Sequence, residues 1–278
     1  GAADAQIDLD DIARRKAKAQ RAERARRDAA DRYRRQAVAD AQVIWRRAVP
    51  AAGTLAETYL RGRGIDIDVA SIRALRFLDD HPYVRKIDGR LETLHRGPCM
   101  IAGVAAADGL LSAVHQTWLD PAGGKATIRR GDTEFPAKMV RGSKKGGAIR
   151  LLSRDSGAGV LVMGEGIETT LSAAMAKPFP DAVFWAGVDL GNMGGRAARI
   201  AGKRWHGMPD LTDAEAFLPP DWVQRLIFLM DGDSDPYATR HRLECGLRRA
   251  EHLCPGVARI QVVPAPVGAD FNDVLAGK

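Results

Sequence analysis

Five acidic residues in the second half of the chain stand where their type and spacing permit metal chemistry. An apolar run at 159–163 leads into Gly164-Glu165-Gly166, and a second at 226–230 leads into Asp231-Gly232-Asp233. A third, at 258–263, is followed by Gly268-Ala269-Asp270-Phe271-Asn272-Asp273. Asp231 and Asp233 are two apart, so in extended chain both point to one side. Glu165 lies between glycines, where a strand must bend closely into the next element. Like charges gathered at strand ends repel unless a cation lies among them. Carboxylate oxygens suit a hard ion, Mg2+ or Mn2+, which keeps several waters and takes phosphate oxygens as further ligands. Glu165, Asp231 and Asp233 are therefore the candidate catalytic and metal-holding residues, with Asp270 and Asp273 as assisting metal ligands.

Other polar residues have plainer readings. Asp235 precedes Pro236 and reads as a helix N-cap with proline at the first helical position. Glu168 falls in a first helical turn, where a carboxylate complements the dipole; a functional role for it stays open. Asp231, Asp233 and Asp235 match the opening of an EF-hand loop, but Pro236 replaces its glycine and Arg242 its closing glutamate, which excludes that reading. His241, Cys245, His252 and Cys254 fit no zinc spacing and read as a buried cysteine with surface histidines. His115 reads as a half-buried strand residue. Asp270 and Asp273 also fit turn or cap positions.

The elements that must position the acids follow from the pattern. Residues 158–278 alternate short apolar runs with helical segments at 167–176 and 236–253, which predicts a largely parallel sheet flanked by helices. Ligands of such sheets gather at the carboxyl ends of the strands. Residues 9–47 read as one long helix, almost all Ala, Arg, Lys, Asp, Glu and Gln in its middle, without a heptad stripe. Val43, Ile44 and Trp45 are expected to dock its end, and Pro50 stops it. Thr54 to Glu57 form a capping box for a short helix ending near Gly62 and Gly64. A β-rich region follows, in which Asp108-Gly109 predicts a hairpin with a primed turn.

At the acids the sequence resembles the Toprim superfamily, marked by a glutamate after its first strand and Asp-x-Asp after its third. Here these are Glu165 in LVMGEGIETTLSAA and Asp231 and Asp233 in LIFLMDGDSD, 66 residues on, with GADFNDVL after the next strand. Primases of the bacterial replicative type carry a similar Gly-Lys-Asp segment there, with Ala269 standing here in the lysine's place. FPAKMVRGSKKGGAIRLL is similar to the segment before the Toprim fold in those primases, and the resemblance gives Lys138 a template- or nucleotide-contacting role. WRRAVPAAGTLAETYLRGRGI and AVHQTWLDPAGGKA resemble primases of phages, plasmids and integrated elements. The resemblance implies an α/β fold: a Toprim-type parallel sheet at 158–278, a mixed α+β primase-like lobe at 51–157 and the long basic helix or linker at 1–50. It implies template-directed primer synthesis on single-stranded DNA from nucleoside triphosphates with Mg2+ or Mn2+. A metal-dependent Toprim nuclease and a non-catalytic nucleic-acid-binding module are the alternatives.

Charge supports a division of labour. Residues 1–150 hold 29 basic and 19 acidic groups, a surplus of +10, whereas 151–278 hold 13 and 16, or −3. Lys125, Arg129, Arg130, Lys138, Arg141, Lys144 and Lys145 cluster in 125–150 and are the candidate nucleic-acid or nucleotide contacts. There is no CxxC pair, no GxxxxGK[ST] loop and no apolar run long enough for a membrane span. A cytoplasmic setting and a catalytic fragment, partnered by a helicase or an upstream zinc ribbon on another segment, are expected.

Overall fold

The computed structural model describes residues 9–153, 159–176, 179 and 181–277. The junction at 157/158 lies outside them. In chain order the elements are α1 (Leu9–Arg47), β1 (Val49–Pro50), α2 (Leu55–Gly62), β2 (Leu75–Ile87), β3 (Arg90–Ala105), β4 (Leu111–Trp118), β5 (Ile128–Arg130), β6 (Thr133–Phe135), β7 (Lys138–Gly142) and β8 (Ile149–Leu152). They continue with β9 (Val160–Gly164), α3 (Ile167–Met175), β10 (Val183–Ala186), α4 (Leu190–Gly194), β11 (Arg225–Met230), α5 (Pro236–Leu253), β12 (Arg259–Pro264) and α6 (Phe271–Leu275). Among the described residues no helix is long and apolar enough to cross a membrane.

The first sheet runs β1-β2-β3-β4-β7 and is antiparallel throughout. Its primed turn lies at Asp88-Gly89, where both φ angles are positive (46° and 83°) and Ile87 pairs with Arg90. The turn expected at Asp108-Gly109 is of another kind. Only Gly109 has a positive φ there, and its N–H bonds the Ala106 carbonyl at 2.9 Å while the Ala106 N–H bonds Leu110 O at 2.9 Å. The Asp108 carboxylate accepts the Leu110 N–H at 2.9 Å. The loop is thus three residues long and closes through the glycine, with the strands shifted in register at Val104/Ala105.

The second sheet runs β12-β11-β9-β10-β8; the first four strands are parallel and β8 is antiparallel to β10. The apolar runs explain it, because strands covered on both faces are continuously apolar: Leu226 to Met230 of β11 and Leu161 to Gly164 of β9 are all buried. The edge strand β12 alternates exposed and half-buried residues instead. From β9 the chain crosses to β10 on one side, then returns to β11 on the other. The crevice between the carboxyl ends of β9 and β11 is therefore the topological switch point.

The two sheets share one core. Tyr59 and Leu60 of α2, Leu75, Met100 and Val104 of the first sheet pack in the same cluster as Ile149 and Leu151 of β8, Ile167 and Leu171 of α3 and Ala186 of β10. An isolated bridge between Ala105 and Ala148 joins the sheets through the backbone. This packing keeps residues of the first sheet at a fixed distance from the switch point of the second.

Helix α1 docks only at its end. Ala37, Ala41 and Ala48 are buried, Ile44 and Trp45 are partly so, and Val43, expected in the dock, is exposed. Ala37 and Ala41 sit four apart on one face of the helix, Ala48 follows its end, and Val43 falls off that face. Residues 12–36 are exposed throughout. Removing residues 1–33 is expected to leave Tm within about 2 °C of the full chain, since residues 12–33 are all exposed. Trp45→Ala should cost about 2 kcal/mol by denaturant titration. A large fall in Tm on the truncation would contradict this account of the helix.

Candidate active site

Glu165 follows β9 and Asp231 follows β11, so their strands are hydrogen-bonded neighbours and both side chains arrive at the switch point. Gly232 lets the next loop close on them. A Cβ there would lie 2.0 Å from Pro266 O, so only glycine fits. Its N–H bonds Ala269 O at 2.9 Å, and Gly268 N–H bonds Gly232 O at 2.8 Å. That clasp brings Asp270, the N-cap of α6, beside Asp231.

The acids are held against their preference. Burial, and then the Asp231 carboxylate, pushes the Glu165 carboxyl above its usual value, although the Leu190 N–H acts the other way. Burial also raises Asp231; the Thr169 hydroxyl, donating at 3.1 Å, opposes it, while Asp270 and Asp233 add to it. Asp231 Oδ1 is buried with no hydrogen-bond partner. Among the described residues no three His, Cys, Asp or Glu side chains already surround a common point. An orphaned carboxylate oxygen facing a second raised carboxyl nevertheless has the donor chemistry for a hard cation.

The five predicted acids do not all converge. Glu165, Asp231 and Asp270 line one cleft of about 240 Å3. Asp233 is exposed at its rim, where it accepts the Ser234 hydroxyl at 3.4 Å. Asp273 closes a reciprocal capping box with Asp270, its N–H bonding Asp270 Oδ1 at 2.7 Å. Asp235 caps α5 through the Ala238 N–H at 2.8 Å, with Pro236 behind it, as its sequence position predicts.

The same cleft is lined on its other part by Arg63, His115, Lys125 and Lys138. Lys138 Nζ lies 3.0 Å from the Glu168 carboxylate, Lys125 Nζ lies 3.5 Å from it, and the Tyr59 hydroxyl donates to it at 2.5 Å. Burial alone would raise Glu168; the two lysines and the tyrosine more than offset that and hold its carboxyl well below the usual range. His115 is buried, not half-buried, and burial with Lys138 pushes it down to about 4, so its imidazole is neutral near pH 7. Arg63 reaches Asp270 only loosely, at 3.8 Å.

The remaining predicted cations lie elsewhere. Arg129 and Arg130 sit on the small β5-β6 hairpin, paired with Glu134 at 2.8 Å and Glu92 at 3.0 Å. Arg141 pairs with Asp40 of α1, Lys144 with Asp189 and Lys145 with Glu215. Lys144 and Lys145 border a larger cavity of about 600 Å3, beside Arg196, Asp213 and Arg242. Neither Glu165 nor Asp231 lines it, so the smaller cleft is the better candidate. His241, expected at the surface, is buried and accepts the Gly207 N–H at 2.9 Å, which makes it a structural anchor.

No motif or spacing marks Tyr59, Arg63 or His115 as members of this cleft. Tyr59 reads as an ordinary core residue, and its partner Glu168 is 109 positions away. Only the functional role left open for Glu168 pointed toward Tyr59.

A family model described as a domain of unknown function, DUF7146, matches residues 34–151. Among solved structures the chain is similar to a DNA primase domain from Pseudomonas aeruginosa, at 15% identity and a TM-score of 0.49, covering 87% of this chain and 75% of that one. It is also similar to the primase fragment of the bacteriophage T7 primase-helicase protein, at 14% identity and a TM-score of 0.35, covering 70% of this chain and 62% of that one. No curated protein matches the chain in sequence.

Asp231→Asn removes a charge that burial and two neighbouring acids disfavour and can keep the Thr169 hydrogen bond. In metal-free buffer at pH 7 its Tm is expected to equal or exceed that of the wild type. A clearly lower Tm would mean that the carboxylate is already compensated within the chain.

Proposed function

We propose that the chain is the catalytic core of a Toprim-type DNA primase, joining nucleotides on a single-stranded DNA template. One observation carries the reading: a single cleft of about 240 Å3 is lined by Glu165, Asp231 and Asp270 on one part and by Arg63, Lys125 and Lys138 on the other. Such a divided cleft matches a metal-bound polyphosphate, with cations meeting the acids and phosphates meeting the lysines.

Glu165 and Asp231 would hold Mg2+ or Mn2+, with Asp270 beside them and Asp233 reached from the rim. When bound, the ion supplies positive charge next to the phosphate under attack and to the attacking 3′-hydroxyl. Asp273 acts by holding the cap that places Asp270. Lys125 and Lys138 bind the polyphosphate and neutralise the leaving diphosphate. His115, neutral in this environment, can donate or accept one hydrogen bond at the cleft wall without adding charge. Template phosphates would run past Arg129 and Arg130 on the β5-β6 hairpin, Arg141 on β7 and Lys144 and Lys145 in the loop after it. Each exchanges an internal, exposed ion pair for a phosphate contact, a substitution that costs little because such pairs contribute at most about 1 kcal/mol.

Incubation with single-stranded DNA, labelled nucleoside triphosphates and Mg2+ or Mn2+ should yield new oligomers. Glu165→Gln and Asp231→Asn should reduce their yield by about 100-fold or more while the proteins remain folded. Asp233→Asn should also impair the reaction, and Asp235→Asn should resemble the wild type because asparagine caps as well. Template degradation without oligomer synthesis would replace the primase by a nuclease. Neither oligomers nor degradation from the wild type would leave a binding module, and full synthesis by Asp231→Asn would take Asp231 out of the metal site.

Affinity for single-stranded DNA should fall linearly on a log–log plot against salt, and the slope should flatten when Arg129, Arg130, Lys144 and Lys145 are replaced by Ala. An unchanged slope would move the DNA path off this face.

A further inference from the structure

Tyr59, Lys125, Lys138 and Glu168 form a cluster beside the acids that holding a metal does not require. They come from α2, from the turn after β4, from the start of β7 and from the first turn of α3, so the cluster spans both sheets. Glu168 has 7% of its side chain exposed, while Lys125 and Lys138 keep 40% and 32% exposed. Both Glu168 oxygens meet Lys138 Nζ at 3.0 Å, and Oε1 also takes the Tyr59 hydroxyl.

For stability alone this is a poor design. A buried ion pair is commonly matched or bettered by apolar side chains of similar volume. What the carboxylate achieves is geometric. Two ammonium groups side by side repel and would swing apart on their four-carbon stems; one ionised acid beneath them holds both. Their free N–H donors are then left for the cleft that Glu165 and Asp231 share.

We propose that Glu168 is a positioning residue that clamps Lys125 and Lys138 into a preformed pair for a polyphosphate, with the Tyr59 hydroxyl fixing the carboxylate. The identity of that polyphosphate as a nucleotide rests on the proposed function; the clamp itself does not. The charged and titratable groups facing Lys125 are Glu168 from α3, Lys138 from β7, Arg63 after α2 and the neutral His115 of β4.

Glu168→Gln keeps the shape and removes the charge. Burial and the repulsion of Lys138 then act on Lys125 unopposed, so it gives up its proton more readily. Acylation of Lys125 by an amine-specific reagent at pH 8, mapped by mass spectrometry against the exposed Lys203, should speed up at least about fivefold. Binding of inorganic triphosphate without metal should weaken about tenfold, and its alkaline limb should move to lower pH. Tyr59→Phe leaves every charge in place and removes one hydrogen bond from Glu168 Oε1; it should shift both readings the same way by a smaller factor, and it decides the matter if Glu168→Gln does not fold. Unchanged labelling with triphosphate bound as tightly or more tightly would overturn the clamp, and if the wild type still makes primers the proposed function stands without it. If the clamp results hold while the wild type makes no primers, the proposed function falls and the polyphosphate site remains.

Discussion

A carboxylate taken out of water must find positive charge or hydrogen-bond donors, or give up its own charge. The cleft contains both outcomes within one turn of chain. Glu168 is surrounded by Lys138, Lys125 and the Tyr59 hydroxyl and stays ionised. Glu165, three residues earlier, faces Asp231 and is pushed toward its neutral form. The rest of the structure serves this contrast. The core shared by the two sheets fixes the first sheet's lysines against the second sheet's acids, and the clasp through Gly232 draws Asp270 to the same place.

That contrast also sets the division of roles. A satisfied carboxylate is a structural or positioning group, because its charge is already spent on the chain. An unsatisfied one, such as Asp231 with its orphaned Oδ1, is poised to accept a ligand. The larger cavity bordered by Lys144 and Lys145 illustrates the converse. It has more room, but each of its lysines already has an acid beside it, Asp189 or Glu215, and neither Glu165 nor Asp231 borders it.

Much of the fold is legible in the sequence because its determinants are local. The apolar runs place β9 and β11 within a residue or two, α5 begins at the Asp235-Pro236 cap, and α1 follows from helix-forming composition alone. Where long-range packing decides, the sequence is less informative. Asp88-Gly89 and Asp108-Gly109 are the same dipeptide, and only the register of the flanking strands makes one a two-residue primed turn and the other part of a three-residue loop. Val43 is more apolar than Ala37 or Ala41, yet the alanines are buried because they lie on the face turned to the sheet and Val43 does not. In the cleft, the strand-end acids were visible from spacing, but spacing did not tell Asp231, which enters the cleft, from Asp233, which stays at its rim. The partnership of Glu168 with Tyr59 and the lysines joins four segments and leaves no periodic trace.

The central claim is that one cleft takes a divalent cation on its acids and a polyphosphate on its lysines at the same time. Anomalous scattering from crystals grown with Mn2+ and a nucleoside triphosphate tests it most directly. The account predicts a manganese peak between Glu165 and Asp231, with the phosphates extending toward Lys125 and Lys138. Manganese bound away from both acids, or a triphosphate seated in the larger cavity beside Lys144 and Arg196, would contradict it.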